Sequence, residues 1–363
     1  MFKIRKQIRN IYAISAFSSF QIAGASWVAL LAMRGFSLVQ IGFAECLFHV
    51  TSLLFEIPSG VISDVFGRKR TMILSQCFFV ISAFLMIMAE SATSVYIALM
   101  LDALGYNFSS GTREALAYDS LKKAGKEEEY DKYASTEMVI YRIGNASAML
   151  CAGLALFIGY QKAYCIDMLL GICCLYFSFQ LKEITASEKM SHQPVGQQIW
   201  ECVKESIFFL IRNVRATQLM FWNAFVGAIA TLLLFFLQAQ LPLEGLPKGF
   251  LGPALFVMGL GGAAGAKLVQ YLSGWRYRKV SVVCFSGVVF GFMTVLMKIP
   301  WIMCIGGFMA SLFDDFLQVR SDVLLNTMIP SEQRATLVSV SSFCFSIIMI
   351  VLSPLIGWIF SIL

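Results

Sequence analysis

Eleven long apolar stretches constrain this chain more than any other feature of its sequence. A helix needs about 20 apolar residues to cross a bilayer core of roughly 30 Å, and each stretch is long enough. The chain is 58% hydrophobic and 14% charged, whereas soluble domains carry about 25% charged residues. We therefore predict an all-α integral membrane protein. The predicted spans are 10–33, 38–62, 71–90, 93–116, 134–159, 163–181, 214–240, 249–273, 279–297, 300–326 and 335–361.

The positions of Lys and Arg predict the orientation. If the N-terminus is cytoplasmic, 20 of the 28 basic residues lie in segments on the cytoplasmic side and only four in the opposite segments. Because cytoplasmic loops are enriched in Lys and Arg, we predict a multi-pass protein of a prokaryotic plasma membrane with its N-terminus inside. The net charge of +6 would face anionic lipid of the inner leaflet, and it is too dispersed for a nucleic-acid partner.

The longest polar interruption separates six predicted spans from five. We predict an N-terminal six-helix half at 1–181, a cytoplasmic central segment at 182–213 and a C-terminal half at 214–363. In the central segment, residues 195–212 carry apolar side chains at helical spacing, which predicts an amphipathic helix on the inner membrane surface.

The two halves also share a weak internal similarity. The fourth span ends with Arg113 and Glu114, and the tenth contains Arg320 and Asp322. Similarity between halves is what the parallel repeats of secondary transporters produce.

The loop after the second span carries the most specific motif, Gly60-Val-Ile-Ser-Asp64-Val-Phe-Gly67-Arg68-Lys69-Arg70. It resembles the signature Gly-x-Leu-Ala-Asp-Arg-x-Gly-Arg-Lys of the major facilitator superfamily, at the position usual in that family. Residues 55–60 and 110–121 also resemble bacterial members, particularly drug exporters. The resemblance implies two helical halves around a central cavity and transport by alternating access. It further implies a conformational gate that holds the inner side closed, formed by Gly60, Asp64, Gly67, Arg68 and Lys69.

Two departures from the family pattern qualify these expectations. Family members normally have twelve spans, so eleven would mean a truncated chain or a second half lacking a helix, with a C-terminus outside. The antiporter motif of the fifth span is incomplete, because residues 144–153 keep glycine spacing but lack the Gly-Pro and Gly-Gly pairs. Export of small amphipathic compounds is the preferred reading, and uptake of a small nutrient or a non-transporting homologue remain alternatives.

Ionisable residues inside the spans are the candidates for proton coupling, because a charge at the bilayer centre costs at least about 2.5 to 3.5 kcal/mol. Several recur on one helical face, as Glu45, His49, Ser52 and Glu56 do in span two. Asp102 is the first choice for the carboxylate that exchanges a proton, and Glu45 with His49 the second. The full set of coupling or cavity candidates is Asp102, Glu45, His49, Arg113, Glu137, Arg142, Asp315 and Asp322.

Other charges are predicted to be structural. Glu56, Glu114 and Arg320 would form ion pairs near the inner mouth, and the same reading stays open for Arg113 and Arg142. Asp314 would point away from the face that carries Asp315, since adjacent helix positions diverge by about 100°. For Asp64 we predict a partner in the free N-H groups at residues 331–336, the N-terminus of the last span.

The sequence also disfavours other classes of protein. It holds no Gly-x-x-x-x-Gly-Lys-Ser/Thr loop of a primary pump and no HExxH or Gly-x-Ser-x-Gly motif of an enzyme. Its ten cysteines lack metal-binding spacing. We therefore expect no enzyme activity, no cofactor and no metal. The expected partners are a small-molecule substrate, protons and the lipid bilayer, with the chain acting as a monomer.

Overall fold

The structure of the protein, a computed structural model, describes residues 3–184, 194–272, 274–329 and 334–363, the side chains of 334–338 excepted. The described residues form fifteen α-helices joined by short turns and 3-10 segments, without a strand. The helices are α1 Ile4–Ser19, α2 Trp27–Met33, α3 Leu38–Phe66, α4 Arg68–Met88, α5 Ala92–Ser109, α6 Thr112–Lys123, α7 Tyr130–Leu150, α8 Ala152–Ile158, α9 Tyr160–Gln180, α10 Val195–Arg212, α11 Val214–Leu243, α12 Lys248–Leu268, α13 Tyr277–Met293, α14 Pro300–Met328 and α15 Arg334–Ile362.

Long apolar helices dominate this fold, as the sequence predicts. Within the described residues, nine helical segments are long and apolar enough to cross a membrane, and the bent pair α7 and α8 brings the number to ten. The nine correspond to predicted spans one to three and six to eleven. The all-α membrane class is thereby confirmed.

Three predicted spans are broken rather than continuous. The first consists of α1 and α2 with an irregular segment at 20–23 between them. The fourth, predicted at 93–116, is wrong at its end: α5 stops at Ser109, and Gly111 adopts a φ of +72° before α6 starts at Thr112. The fifth bends by 47° between α7 and α8. Hydropathy does not register the bend at Cys151, because its neighbours are apolar, whereas the residues at 109–114, around the break in the fourth span, are polar or glycine.

The corrected end of the fourth span changes the place of two charged residues. Arg113 and Glu114 lie in the first turn of α6, which follows a break, whereas Arg320 and Asp322 lie inside the continuous helix α14. The similarity predicted between the two halves therefore does not extend to their local structure.

The described chain divides into two compact units that do not coincide with the sequence halves. Unit 1 comprises 1–25, 51–151 and 158–203, and unit 2 comprises 26–50, 152–157 and 204–363. The chain thus passes from unit 1 to unit 2 directly after the irregular segment of the first span, and it returns within α3.

The core of unit 1 forms where α1, α6, α7 and α9 pack on one another. Ile11, Ile14, Leu116 and Cys174 are buried there together with Ile184, which follows α9. The side chain of Gln7 in α1 pairs with the backbone of Lys182, donating to its carbonyl and accepting from its N-H, each at 3.0 Å. The start of the segment that connects the sequence halves is therefore attached to unit 1.

In unit 2, glycines allow α12 and α13 to approach α14 closely. A Cβ atom at Gly261 or Gly265 would collide with backbone carbonyls of α14, and one at Gly287 would collide with the ring of Phe313. The sequence predicts such close approach for span eight, and the structure shows it.

The helix predicted at 195–212 is present as α10, with the same limits. Phe209 is buried against α11, α14 and α15 of unit 2, whereas Trp200, Ile207, Phe208 and Ile211 are exposed. The position of α10 on a membrane surface stays a prediction.

Candidate functional site

The signature motif builds the turn between α3 and α4. Gly67 has a φ of +98°, which favours glycine, and a Cβ there would lie 2.7 Å from Glu183 Oε2. The Glu183 carboxylate accepts hydrogen bonds from the backbone N-H of Lys69 at 3.1 and 3.2 Å. It therefore satisfies part of the N-terminus of α4. Glu183 was not among the sequence-predicted residues, because its partner lies 114 positions earlier.

Arg68 of the motif is bound inside unit 1. Its guanidinium donates to the Asp119 carboxylate and, at 2.6 Å, to the carbonyl of Ala115, both in α6. Asp64 lies 3.9 Å from Arg68, and 72% of its side-chain surface is exposed. The partner predicted for Asp64 at 331–336 lies outside the described side chains, so the gate stays a prediction. Gly60 is exposed on α3, and no atom of the described residues lies within 4 Å of the Cβ position there.

A buried group of charges lies in unit 1 where α1, α6 and α7 meet. Arg113 Nη2 lies 3.0 Å from Glu137 Oε1 and 3.3 Å from Glu114 Oε1, and Ser15 donates to Glu137 at 2.9 Å. Sequence reasoning placed Arg113 and Glu137 in a cavity and Glu114 in a structural pair. The structure places all three in one network.

This network extends toward α3 and α5. Tyr106 of α5 lies within electrostatic range of Glu56, Arg113, Glu114 and Tyr141. Within the described residues Glu56 forms no ion pair, so its predicted structural pair is not present. The network of these side chains, named here the acidic cluster, comprises Glu56, Tyr106, Arg113, Glu114, Tyr133, Glu137 and Tyr141.

Unit 1 holds two further candidate residues, Asp102 and Arg142. Asp102 is half-buried on α5, one turn before Tyr106. Arg142 is exposed on α7 and has no ion-pair partner in the described part of the chain. Five helical positions separate it from Glu137, which places the two about 140° apart around the helix.

In unit 2, the first part of α3 packs on α15 and brings two polar candidates together. Glu45 Oε1 lies 3.3 Å from His49 Nε2, and His49 Nδ1 lies 3.3 Å from Ser346 Oγ. Glu45 and His49 are only 9% and 8% exposed. The His49 ring also contacts Phe345 at a centroid distance of 5.7 Å. An imidazole between a carboxylate and a hydroxyl can gain or lose a proton while it keeps a hydrogen bond to each of them.

Helix α14 supplies a second polar row in unit 2. Asn223 of α11 donates to the amide of Gln318, which donates to both carboxylate oxygens of Asp322 at 3.1 Å. Asp314 and Asp315 diverge as predicted. The Asp315 carboxylate lies against Gly262 of α12, and that of Asp314 against Gly227 of α11.

Arg320, on the same helix, forms no ion pair with Asp322 in the described structure. Its Nη2 donates to the carbonyl of Trp275 at 3.1 Å, in the turn that precedes α13. Arg320 thus forms a backbone hydrogen bond in place of the predicted ion pair, because residues two positions apart on a helix face different sides.

Asp167 of α9 is a buried carboxylate that sequence reasoning missed. It is 6% exposed and accepts hydrogen bonds from the backbone N-H of Ile22 at 2.8 Å and of Gly24 at 2.9 Å. These N-H groups belong to the break between α1 and α2, where they have no helical partner. A single carboxylate inside the predicted sixth span was a signal that could have found it.

Nine apolar helical segments long enough to cross a membrane, with ionisable side chains buried among them in the described residues, define a multi-pass membrane protein. A comparison with known protein families identifies the family of this chain. The profile of the Major Facilitator Superfamily matches residues 11–300, and the chain belongs to that family.

Individual similar proteins support the same family. An uncharacterised MFS-type transporter of Bacillus subtilis (strain 168), YxaM, is 22% identical over 240 residues, covering 65% of this chain and 58% of the relative. The nucleoside transporter NupG has a TM-score of 0.78 at 13% identity, over 99% of this chain and 92% of NupG. A D-xylose-proton symporter has a TM-score of 0.69 at 11% identity, over 98% and 89%. At these identities the two solved structures show a shared fold.

Proposed function

We propose that the chain is a secondary active transporter that moves a small organic solute across the membrane by alternating access, coupled to protons. The observation that carries the coupling is the buried row of Glu45, His49 and Ser346. Proton-coupled transport needs a group that gains and loses a proton inside the membrane. Histidine is suited to this because its proton exchange falls near neutral pH.

Burial explains why this row is a better candidate than an ordinary surface pair. Charges inside a span are costly unless they are paired or hydrated, and here the neutral and protonated forms of His49 both find partners. Neutral His49 can donate from Nε2 to Glu45 and accept the Ser346 hydroxyl at Nδ1, and protonated His49 would pair with the Glu45 carboxylate. Asp102, half-buried on α5, stays a candidate for the same function.

The experiment uses everted membrane vesicles that hold the protein and a respiration-driven proton gradient, with a pH-sensitive dye. Compounds are added one at a time: lipophilic cations, neutral antibiotics, nucleosides, pentoses and dipeptides. A compound that is transported with or against protons changes the dye fluorescence. We expect His49→Gln and Glu45→Gln each to reduce this response at least tenfold, and Asp102→Asn to test the alternative.

Cys46→Ala is the matched control, because Cys46 is buried on the same helix between the two candidates and exchanges no proton in the proposed mechanism. A full response in both His49→Gln and Glu45→Gln would exclude this row as the proton carrier. A response that is lost equally in Cys46→Ala would assign the effect to packing.

The proposed direction of transport is export, with uptake as the alternative. Export is the direction that the sequence resemblance favours. Uptake of a polar nutrient is the second candidate, and one observation favours it: Asn223, Gln318 and Asp322 form a hydrogen-bonding row on two membrane-spanning helices, which suits a solute with several polar groups. Accumulation of a radiolabelled solute in right-side-out vesicles would support uptake, and its exclusion would support export.

A further inference from the structure

The acidic cluster of unit 1 carries more negative than positive charge. Glu56, Glu114 and Glu137 supply three carboxylates, and Arg113 is the guanidinium among them. One guanidinium paired with two carboxylates leaves one negative charge there, and Glu56 adds another. Arg142 does not compensate them, since it lies on a different side of α7 from Glu137.

Several buried polar atoms of the cluster also lack a protein partner. Tyr133 is 3% exposed, yet its hydroxyl forms no hydrogen bond in the described part of the chain, although Arg113, Glu114 and Glu137 are all within electrostatic range. Glu114 Oε2 is likewise buried without a hydrogen-bond partner among the described residues. Buried polar groups are rarely left unpaired, so a hydrogen-bonding ligand would satisfy atoms that the fold leaves open.

The side of the cluster toward α3 and α5 can be reached from outside the unit. Tyr106 is 55% exposed and Tyr141 41%, and the half-buried Glu56 lies within electrostatic range of Tyr106. Tyrosine rings attract cations through their negative faces. A carboxylate without an ion pair, next to accessible aromatic rings, is a combination that recognises a positively charged organic group.

We propose that the acidic cluster is a binding site for a small organic cation, which enters between Tyr106 and Tyr141 and pairs with Glu56. This inference rests on the proposed function for the transport of that cation, and it names the chemical class of the solute. Glu137 and Arg113 hold the back of the site through their ion pair, and the Tyr133 hydroxyl and Glu114 Oε2 are available to donors or acceptors on the bound molecule.

The test measures binding to the purified protein in detergent, without a proton gradient. The probe is radiolabelled 2-phenylethylamine, which is a cation at pH 7 with N-H donors, and 2-phenylethanol, of similar shape and without charge, is the competitor. We expect saturable binding of the cation that unlabelled 2-phenylethylamine displaces and 2-phenylethanol does not. Glu56→Gln should raise the dissociation constant about tenfold or more, because it removes the charge and keeps the shape.

Glu90→Gln is the matched control, since Glu90 is exposed in the turn before α5 and lies outside the cluster; it should leave binding unchanged. Tyr106→Leu is the second variant, and as an exposed substitution it should weaken binding without unfolding the protein. Equal displacement by the charged amine and the neutral alcohol, no saturable binding of the amine, or unchanged affinity in both Glu56→Gln and Tyr106→Leu would overturn the proposal.

The results separate this proposal from the proposed function. Cation binding that depends on Glu56, without any proton movement in the vesicles, would support the site and contradict proton coupling. Proton movement driven by neutral or anionic solutes, without cation binding, would support transport and overturn the cation site.

Discussion

At the scale of single residues, the two glycines of the signature motif have different physical roles. Gly67 has a positive φ and faces the Glu183 carboxylate, whereas Gly60 lies on α3 with open space at its Cβ position. Alanine at Gly67 would be strained and would displace the carboxylate that binds the N-terminus of α4. We expect Gly67→Ala to lower the free energy of unfolding by about 1 to 3 kcal/mol, measured by thermal unfolding in detergent.

Gly60→Ala is the control, because alanine favours a helix over glycine by about 1 kcal/mol and meets no neighbour there. Equal destabilisation by both substitutions would contradict the assignment of the strain to Gly67. The motif could be recognised in the sequence, and glycine in its turn could be anticipated. Glu183 could not, because nothing in a single sequence relates two positions more than a hundred residues apart.

At the scale of helices, Asp167 fixes the break between α1 and α2. A carboxylate that accepts backbone hydrogen bonds in a buried site contributes about 1.5 to 3 kcal/mol for each bond. Asn keeps one acceptor oxygen and replaces the other with a donor, so it would lose one bond to Ile22 or Gly24. We expect Asp167→Asn to speed amide hydrogen exchange at residues 20–26 by about tenfold to a hundredfold.

Lys162→Gln provides the comparison for this exchange experiment, since Lys162 is an exposed residue of the same helix. Its exchange pattern should match that of the unaltered protein. Slow exchange at 20–26 in Asp167→Asn would show that the break is held by packing alone. Breaks of this kind explain why the helix ends predicted from hydropathy were wrong. Hydropathy located the apolar stretches, but the ends of α1 and α5 depend on backbone geometry and on distant partners.

The packing of α12 on α14 leads to a second prediction for helices. A Cβ atom at Gly265 would collide with the backbone carbonyl of Leu312, whereas one at Gly249, on the same helix, would meet nothing within 4 Å. Backbone cannot move aside as a flexible side chain can, so Gly265→Ala should destabilise by about 1 to 3 kcal/mol. Thermal unfolding should show no loss for Gly249→Ala. If Gly265→Ala were equally stable, α12 and α14 would be farther apart than the structure indicates.

At the scale of the whole molecule, a gate must change its contacts during transport, whereas a structural ion pair keeps them. Arg68 is engaged with Asp119 and Ala115 inside unit 1, but Asp64 is mostly exposed and lies 3.9 Å from Arg68. An exposed pair at that distance contributes at most about 1 kcal/mol to stability. The charge of Asp64 therefore contributes little to the stability of unit 1.

This contrast makes Asp64→Asn a direct test of the gate. We expect the variant to keep its expression, its unfolding temperature and its affinity for 2-phenylethylamine. It should lose at least nine-tenths of the transport rate in vesicles, because the carboxylate would be needed only while the molecule changes state. Asp119→Asn should differ, lowering the unfolding temperature since it removes the partner of the buried Arg68. Full transport by Asp64→Asn would refute the gate, and a loss of stability in that variant would assign Asp64 to the fold of unit 1 instead.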